Sequence, residues 1–409
     1  VPLARLVIDL SPLRSSGPFR VLFAVRVVSL FAGGFRLVAL PIQVYAMTGS
    51  SFLVASVGIV NGVASFGGTL VGGLLADRWD RRRLIVAAAV IEVGVLALFA
   101  VNAYLPAPSL GPIYLGAAVN GVAGTAGLIA QQAAVPALVG ASRVAAAGAL
   151  FAVTAQFGAM AAPALGGVAI SAWGVGPGYA GTAVIAAGCA VAVAFLPPLR
   201  PARGTQRTSA PADVVEGLAF VRRDPLVRPL LVLGFAQVLF TTPLALVPEF
   251  TDRVLGGGAA LAGLLYTAPA IGALPASLTS GWTSHVRGGG PVVLGAVALC
   301  GVAVTALGAS GGAVAAFAAL LLLGCGQAIE EILRYALIQR HTPDALRGRV
   351  TAAWTAQATV GGSLGATGLG VAAALAGPAV ALVVSGLLCV AATVAVAVTE
   401  PGLRARGAG

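Results

Sequence analysis

Apolar residues run through this chain in long blocks separated by short polar or glycine-rich breaks. Neither the two-residue alternation of a half-buried strand nor a clean helical stripe organises them. Each block reaches the roughly 20 residues that a helix needs to cross a hydrocarbon core ~30 Å thick. The pattern predicts twelve membrane helices, over 19–46, 52–76, 83–104, 111–136, 144–171, 177–197, 229–251, 259–283, 290–308, 312–338, 348–375 and 378–399. The breaks carry turn chemistry, as in Thr48-Gly49-Ser50, Pro106-Ala107-Pro108, Gly174 to Pro177, Gly256 to Gly258, Gly288 to Gly290, Gly311-Gly312 and Gly377-Pro378. Weak stripes fit helices that meet lipid on one side and other helices on the other.

Arginine orients these spans. Breaks after even-numbered spans hold Arg78, Arg81, Arg82 and Arg83, then Arg143, the cluster Arg200 to Arg228, Arg287, and finally Arg340, Arg347 and Arg349. The N-terminal segment adds Arg5, Arg14 and Arg20, the C-terminal one Arg404 and Arg406, and the breaks after odd-numbered spans hold only Arg253. The positive-inside rule then puts both termini and every even-numbered break in the cytoplasm. One missed or invented span would destroy the alternation.

Residues 198–228 form the one long polar segment, with Pro197-Pro198, Pro201 and Pro211 breaking helices. It reads as a cytoplasmic linker, with a short amphipathic helix over Asp213 to Arg223, between an N-terminal six-helix bundle (1–197) and a C-terminal bundle with a short tail (229–409). The halves repeat faintly: Pro136 to Val144, before span five, resembles Pro343 to Val350, before span eleven. Two parallel six-helix repeats are one of the known transporter plans.

Composition narrows the function. Of 409 residues 58% are hydrophobic and 9% charged, against about 25% charged in soluble domains, and mean hydropathy is +0.98. A soluble enzyme, a nucleic-acid-binding module and a disordered chain are excluded. The net charge of +11 concerns topology rather than nucleic acid. All 24 basic residues are arginine. Without lysine there is no Walker A lysine, which disfavours ATP-driven transport by this chain alone, and no lysine Schiff base or general base. Cys189, Cys300, Cys325 and Cys389 lie in apolar runs without metal spacing, and His285 and His341 are too few for zinc. No metal or cofactor is expected. Val1 to Arg20 is too polar for a cleavable signal peptide, so the first span reads as an uncleaved anchor.

The sharpest motif joins spans two and three: Gly72-Gly73-Leu74-Leu75-Ala76-Asp77-Arg78-Trp79-Asp80-Arg81-Arg82-Arg83-Leu84-Ile85. A carboxylate at a helix end beside a short guanidinium loop can pair in one conformation and release in another; the alternative is that the arginines only enforce topology. The motif resembles the signature of the major facilitator superfamily, with Asp80 in place of the second glycine and Arg82 in place of the lysine. That resemblance implies a gate of Gly73, Asp77, Arg78, Arg81 and Arg82. The corresponding stretch of the second half, Gly281 to Arg287, is degraded, with His285 where the aspartate would stand. In span five, Gly158-Ala-Met-Ala-Ala162-Pro163-Ala-Leu-Gly166-Gly167 resembles the superfamily's antiporter motif, with Ala162 for a glycine. Small residues four apart allow close helix approach, and Pro163 removes a hydrogen bond and bends the helix. Tight packing alone is the competing explanation.

Further stretches extend the resemblance along nearly the whole chain, in order: Leu13 to Arg20, Val71 to Ile85, Leu105 to Leu110, Val135 to Gly140, and Thr342 to Arg349 continuing through Ala353-Trp354-Thr355-Ala356-Gln357. They are similar to the catecholate-siderophore exporters of the superfamily's drug:proton antiporter branch, which also holds macrolide efflux pumps. The resemblance implies proton-coupled export of a catecholate-type siderophore across the cytoplasmic membrane by alternating access, or else multidrug or macrolide efflux.

Charges within spans are functional candidates, because each costs at least about 2.5–3.5 kcal/mol at a helix centre. Arg26 and Arg36 lie about 10 Å and 25 Å into span one, and Glu92 about 14 Å into span three. Only Arg26 has a counterpart in the resembled exporters; it is a substrate-binding candidate, with a structural pair to Glu92 as the alternative. Glu92 serves equally as a structural partner or a proton carrier. Glu330 and Glu331 are further proton-coupling candidates, and Arg334 stands at pairing distance along the helix. Glu249 and Asp252 close span seven at the outer interface. Arg36, Gln43, Asn120, Gln131, Gln132, Gln237, Gln327, Trp354 and Gln357 are candidate cavity residues, or interhelical hydrogen-bond formers. Phe235 and Phe240 can face an aromatic ligand or lipid. Gly361-Gly362-Ser363-Leu364-Gly365 matches the hydrolase elbow, but no strand precedes it and no histidine partners it.

The expected fold is an all-α membrane protein of twelve transmembrane helices in two pseudo-symmetric six-helix bundles. The expected partners are a small-molecule substrate, protons and the lipid bilayer, without nucleic acid, and the chain reads as a monomer rather than an enzyme or a receptor.

Overall fold

The computed structural model of the chain describes residues 9–140, 143–200, 220–278, 289–343, 346–400 and 403. After a short helix at Ser11–Ser15 come α1 (Gly17–Thr48), α2 (Ser51–Arg78), α3 (Arg81–Tyr104), α4 (Leu110–Val139), α5 (Val144–Trp173) and α6 (Val175–Ala194). Residues 201–219 lie outside the described part, as does most of the expected linker helix. Then follow α7 (Val227–Arg253), α8 (Ala259–Leu278), α9 (Gly289–Gly308), α10 (Ala313–His341), α11 (Arg347–Ala376) and α12 (Pro378–Thr399). Among the described residues, eleven of these segments are long and apolar enough to cross a membrane. Among the same residues, α11 contributes the shorter apolar stretch Val360–Ala376.

Two compact units emerge from the contacts: residues 1–43 with 60–206, and residues 44–59 with 207–409. The tips of α1 and α2 thus group with the later helices. In the first unit α3 packs on α4 and α6, and in the second α10 packs on α8 and α9 and α12 on α9. The first core gathers Phe19, Leu22, Ile85, Ala134, Leu196 and Phe151. The second gathers Leu230, Leu233, Val293, Val297, Leu333 and Cys389.

Small residues set the helix spacing. A Cβ at Gly68 or Gly72 of α2 would strike the backbone of Val122 or Ala126 on α4. Gly301 and Gly308 of α9 meet Gly386 and Ala379 of α12 in the same way, and Gly324 of α10 meets Pro269 of α8. In a bilayer, lipid tails compete for apolar contacts, so close approach and van der Waals packing carry association. The repeat is visible in the ends of α5 and α11. Each closes on a glycine in left-handed conformation, Gly174 (φ 83°) and Gly377 (φ 84°). Each of these donates its N–H to a carbonyl one turn back, Ile170 and Ala373, at 2.8 Å, and the next helix starts at once. An L side chain would be strained there.

Span seven departs from expectation. The sequence reads as one helix over 229–251; the structure holds a helix over Val227–Phe240, a 3₁₀ turn at Pro243–Leu246 and a second helix at Val247–Arg253. Pro243 and Pro248 have no N–H for a continuous ladder. The freed carbonyls are taken up by side chains: Ser385 of α12 donates to Phe240 at 2.8 Å, and Gln327 of α10 donates to Thr241 at 3.3 Å. Thr241 donates from both its N–H and its hydroxyl to Gln237. Irregular backbone survives at membrane depth when it is satisfied in this way.

Adjacent glycines of α1 separate packing from propensity. A Cβ at Gly34 would collide with Ala162, including its backbone, whereas Gly33 faces open space. Gly34→Ala is expected to cost about 1–3 kcal/mol through overpacking, while Gly33→Ala gains up to about 1 kcal/mol of helix propensity. Thermal denaturation in detergent reads both; equal melting temperatures for the two variants would contradict this packing.

Candidate functional site

The loop between α2 and α3 is tied to three helix ends. Asp80 caps α3: its carboxylate accepts from the N–H of Arg82 at 3.0 Å and from that of Leu199 at 2.9 Å. This explains an aspartate where the family motif has glycine, since a short carboxylate at the N-cap satisfies orphan amides. Arg81 donates to the carbonyls of Ala76 (3.3 Å) and Ala133 (3.0 Å), and Arg82 to that of Ala194, the last residue of α6. Guanidinium groups at helix C-termini complement the helix dipole. Arg78 is exposed, and the position of Gly73 has open space around it. Asp77 lies in the last turn of α2; its side chain is outside the described residues.

The glycine motif of α5 lies against α1. A Cβ at Gly158 would meet Leu30 at 3.0 Å, and one at Gly166 would meet Phe35 Cα at 3.1 Å. Pro163 and Gly167 are buried. In the second unit the same relation recurs between α11 and α7: Gly361 faces Phe235, and Gly365 faces the carbonyl of Leu239. The stretch that matches the hydrolase elbow is therefore a helix-packing face.

Embedded charges find specific partners. Arg36 Nη1 pairs with Glu92 Oε1 at 3.2 Å, bracing α1 on α3. The acid weighed as a partner for Arg26 is thus held by Arg36. Glu330 pairs with Arg334 one turn on, both side chains buried, and the Arg334 guanidinium lies 4.0 Å from the centre of the Trp354 ring. Tyr335 meets Trp354 edge-on. Glu331 is exposed. Glu249, expected at the outer interface, is buried: Ser51 donates its hydroxyl to Oε2, and Arg253 pairs with Oε1 at 3.1 Å. Asp252 is exposed.

Arg26 differs from these. Among the described residues no acid pairs with it, and its Nε is buried without a hydrogen-bond partner. Its guanidinium stands 4.4 Å from the centre of the Phe151 ring. It faces a cavity of about 370 Å³ among α1, α4 and α5, lined also by Gln132, Val135, Gly148, Ala152 and Ala155. That volume lies at the lower end of the ~300–1,000 Å³ range of small-molecule sites. One cation on an aromatic face, one amide and apolar walls can receive an anionic aromatic group. Phe151 was not singled out in the sequence, since nothing in span five marks one phenylalanine as a cation platform.

The uncharged candidates divide. Gln237 donates to Thr241 at 3.1 Å and Gln327 to the backbone of Thr241, so both serve the break in α7. Gln43 is buried, with neither amide atom partnered among the described residues. Asn120 is buried on α4, and Gln131 and Gln357 are half-buried. Phe240 packs on the second core.

Comparison with known proteins places these features in context. The Major Facilitator Superfamily profile matches residues 22–366 and 241–407. The chain is 33% identical over 385 residues to the enterobactin exporter EntS of Citrobacter koseri and 32% identical to that of Shigella boydii, in each case over 93% of this chain and 91% of the relative. Among solved structures it is similar to the nucleoside transporter NupG (TM-score 0.77, 14% identity, 93% of this chain and 98% of that one). It is likewise similar to a peptide transporter of the POT type in complex with sulfate (TM-score 0.73, 12% identity, 96% of each chain).

The ion pair of α1 and α3 is open to a mutant cycle. Arg36→Gln and Glu92→Gln each leave a charge unpaired in the membrane, whereas the double variant leaves none. The cycle is expected to give a coupling of about 0.5–3 kcal/mol, the double variant being more stable than the sum of the singles. Additive losses in denaturation midpoint would mean that the pair contributes nothing.

Proposed function

Because this chain belongs to the Major Facilitator Superfamily and is a membrane transporter rather than an enzyme, we propose that it exports a catecholate-type siderophore across the cytoplasmic membrane in exchange for protons. The observation that carries this reading is the likeness to enterobactin exporters over 93% of the chain. The first unit supports it with the chemistry of Arg26. One face of the guanidinium covers Phe151, and the edge donors can address two adjacent phenolate oxygens together, a geometry that a planar fork fits. The exposed amide of Gln132 adds a neutral donor and acceptor in the same cavity. A catechol ring entering the cavity gains charge-assisted hydrogen bonds and apolar walls, and a cation on an aromatic face retains part of its stabilisation when water is removed.

In this reading the substrate enters from the cytoplasm, where both termini lie, and the two bundles alternate around it. The loop between α2 and α3 forms the cytoplasmic gate: Arg81 and Arg82 anchor it to α4 and α6, and Asp77 at the end of α2 is its switch. Protons supply the driving force, and the chain acts as a monomer.

The proposal is tested in everted membrane vesicles. Uptake of labelled enterobactin is expected to collapse with a protonophore and to need no ATP. Arg26→Gln is expected to weaken enterobactin binding by about tenfold or more, equivalent to one lost charge-assisted contact, while binding of a neutral macrolide and the melting temperature stay unchanged. ATP-dependent, protonophore-resistant uptake, or equal loss of both ligands, would refute the reading.

The gate gives a second outcome. Asp77→Asn is expected to insert and fold normally and to bind enterobactin, yet to transport it at least about tenfold more slowly, since an interaction that biases two states has been removed. Wild-type transport rates in well-inserted protein would remove Asp77 from the gate.

A further inference from the structure

Three embedded carboxylates have defined settings in the structure. Glu92 is held by Arg36, with about a fifth of each side chain exposed. Glu249 is shared between Ser51 and an arginine, Arg253, whose side chain is 55% exposed. Glu330 is different. Its side chain is 2% exposed, and its one counter-ion among the described residues, Arg334, is 4% exposed on the same helix. Glu330 lies eleven positions before His341, the end of α10, which places it about 16 Å from that end.

The Glu330 carboxylate depends on Arg334 for its charge balance. On its own helix it faces Arg334 and Glu331, and the latter repels it. The thiols of Cys300 on α9 and Cys389 on α12 are turned to the carbonyls of Leu323 and Val297. The helix α8, which packs along α10, contains no charged residue. Arg228 of α7 is turned to Glu400. Arg334 itself is under-satisfied: among the described residues Nη1 is buried without a hydrogen-bond acceptor, one face covers Trp354 of α11, and a Cβ at Gly234 of α7 would strike its guanidinium. Replacement of such a pair by apolar residues is often neutral or stabilising, so packing alone does not call for it.

We propose that Glu330 is the residue that carries the exchanged proton, with Arg334 as its positioning partner. This rests on the proton-antiport reading above and names the site within it. A proton from water on the entry side adds to the Glu330 carboxylate and gives the neutral acid. Arg334 stays protonated throughout and then keeps only the Trp354 face as a partner. Loss of the proton to water on the other side restores the pair. The step moves one proton and changes no other bond. Because Arg334 contacts α7, α10 and α11 together, the making and breaking of its ion pair acts on all three helices.

The test separates proton coupling from transport itself. The full-length protein is reconstituted in liposomes and assayed with labelled enterobactin in two modes: accumulation driven by a pH gradient, and exchange against unlabelled enterobactin without a gradient. Glu330→Gln is expected to keep exchange within about twofold of wild type, at a rate independent of pH, and to lose gradient-driven accumulation by about tenfold or more. If Glu330→Gln fails to fold, the variant with both Glu330→Gln and Arg334→Gln removes both charges and is read by the same two assays. Undiminished gradient-driven accumulation in the folded variant overturns the assignment alone, and so does equal loss of both modes. Absence of gradient-driven accumulation in the wild type overturns the antiport reading and the assignment with it.

Discussion

A charge inside a bilayer is stable only beside a partner, and most of this architecture follows from how few charges the chain carries and where it places them. Two embedded arginines hold a carboxylate each, Arg36 with Glu92 and Arg334 with Glu330. Arg26 holds none among the described residues and instead lies on the Phe151 ring at the edge of a cavity. The same demand extends to the backbone. Where prolines interrupt α7, donors from α10 and α12 reach the freed carbonyls.

The second constraint is contact area. Helices that compete with lipid for partners must approach closely, and glycines at the crossing points allow it. The glycine motif of α5 on α1 and the glycines of α11 on α7 show that each unit solves this problem with the same pair of helices. Arg26 lies on α1 and its aromatic platform on α5, so the packing that brings these helices together also builds the cavity wall. The tie between fold and site is therefore direct: a substitution that separates α1 from α5 removes the floor under Arg26.

Much of this was legible in the sequence. Twelve apolar blocks gave twelve helices because block length and turn residues are local properties. The signature around Asp77 marked the α2–α3 loop, and the glycine spacing marked the face of α5. What stayed hidden depends on rotation of one helix against another. Hydropathy varies too little around these helices to say which face of α1 meets α3, so Arg36 rather than Arg26 as the partner of Glu92 was not readable. The burial of Glu249 was hidden for the same reason, since Ser51 comes to it from a helix almost two hundred positions away in the chain. The break in α7 did leave a trace: Thr241-Thr242-Pro243 is a stop signal inside an apolar block, outweighed by the hydropathy on either side.

The central claim is that the guanidinium of Arg26, which lies on the Phe151 ring, receives the acidic aromatic part of the cargo. The most direct measurement is an electron cryomicroscopy map of the purified protein saturated with enterobactin. The account predicts density for a catechol ring in the cavity of α1, α4 and α5, with its paired oxygens at hydrogen-bond distance from Arg26 and Phe151 still beneath the guanidinium. Well-resolved ligand density elsewhere in the protein, with Arg26 and its cavity unchanged, would contradict it.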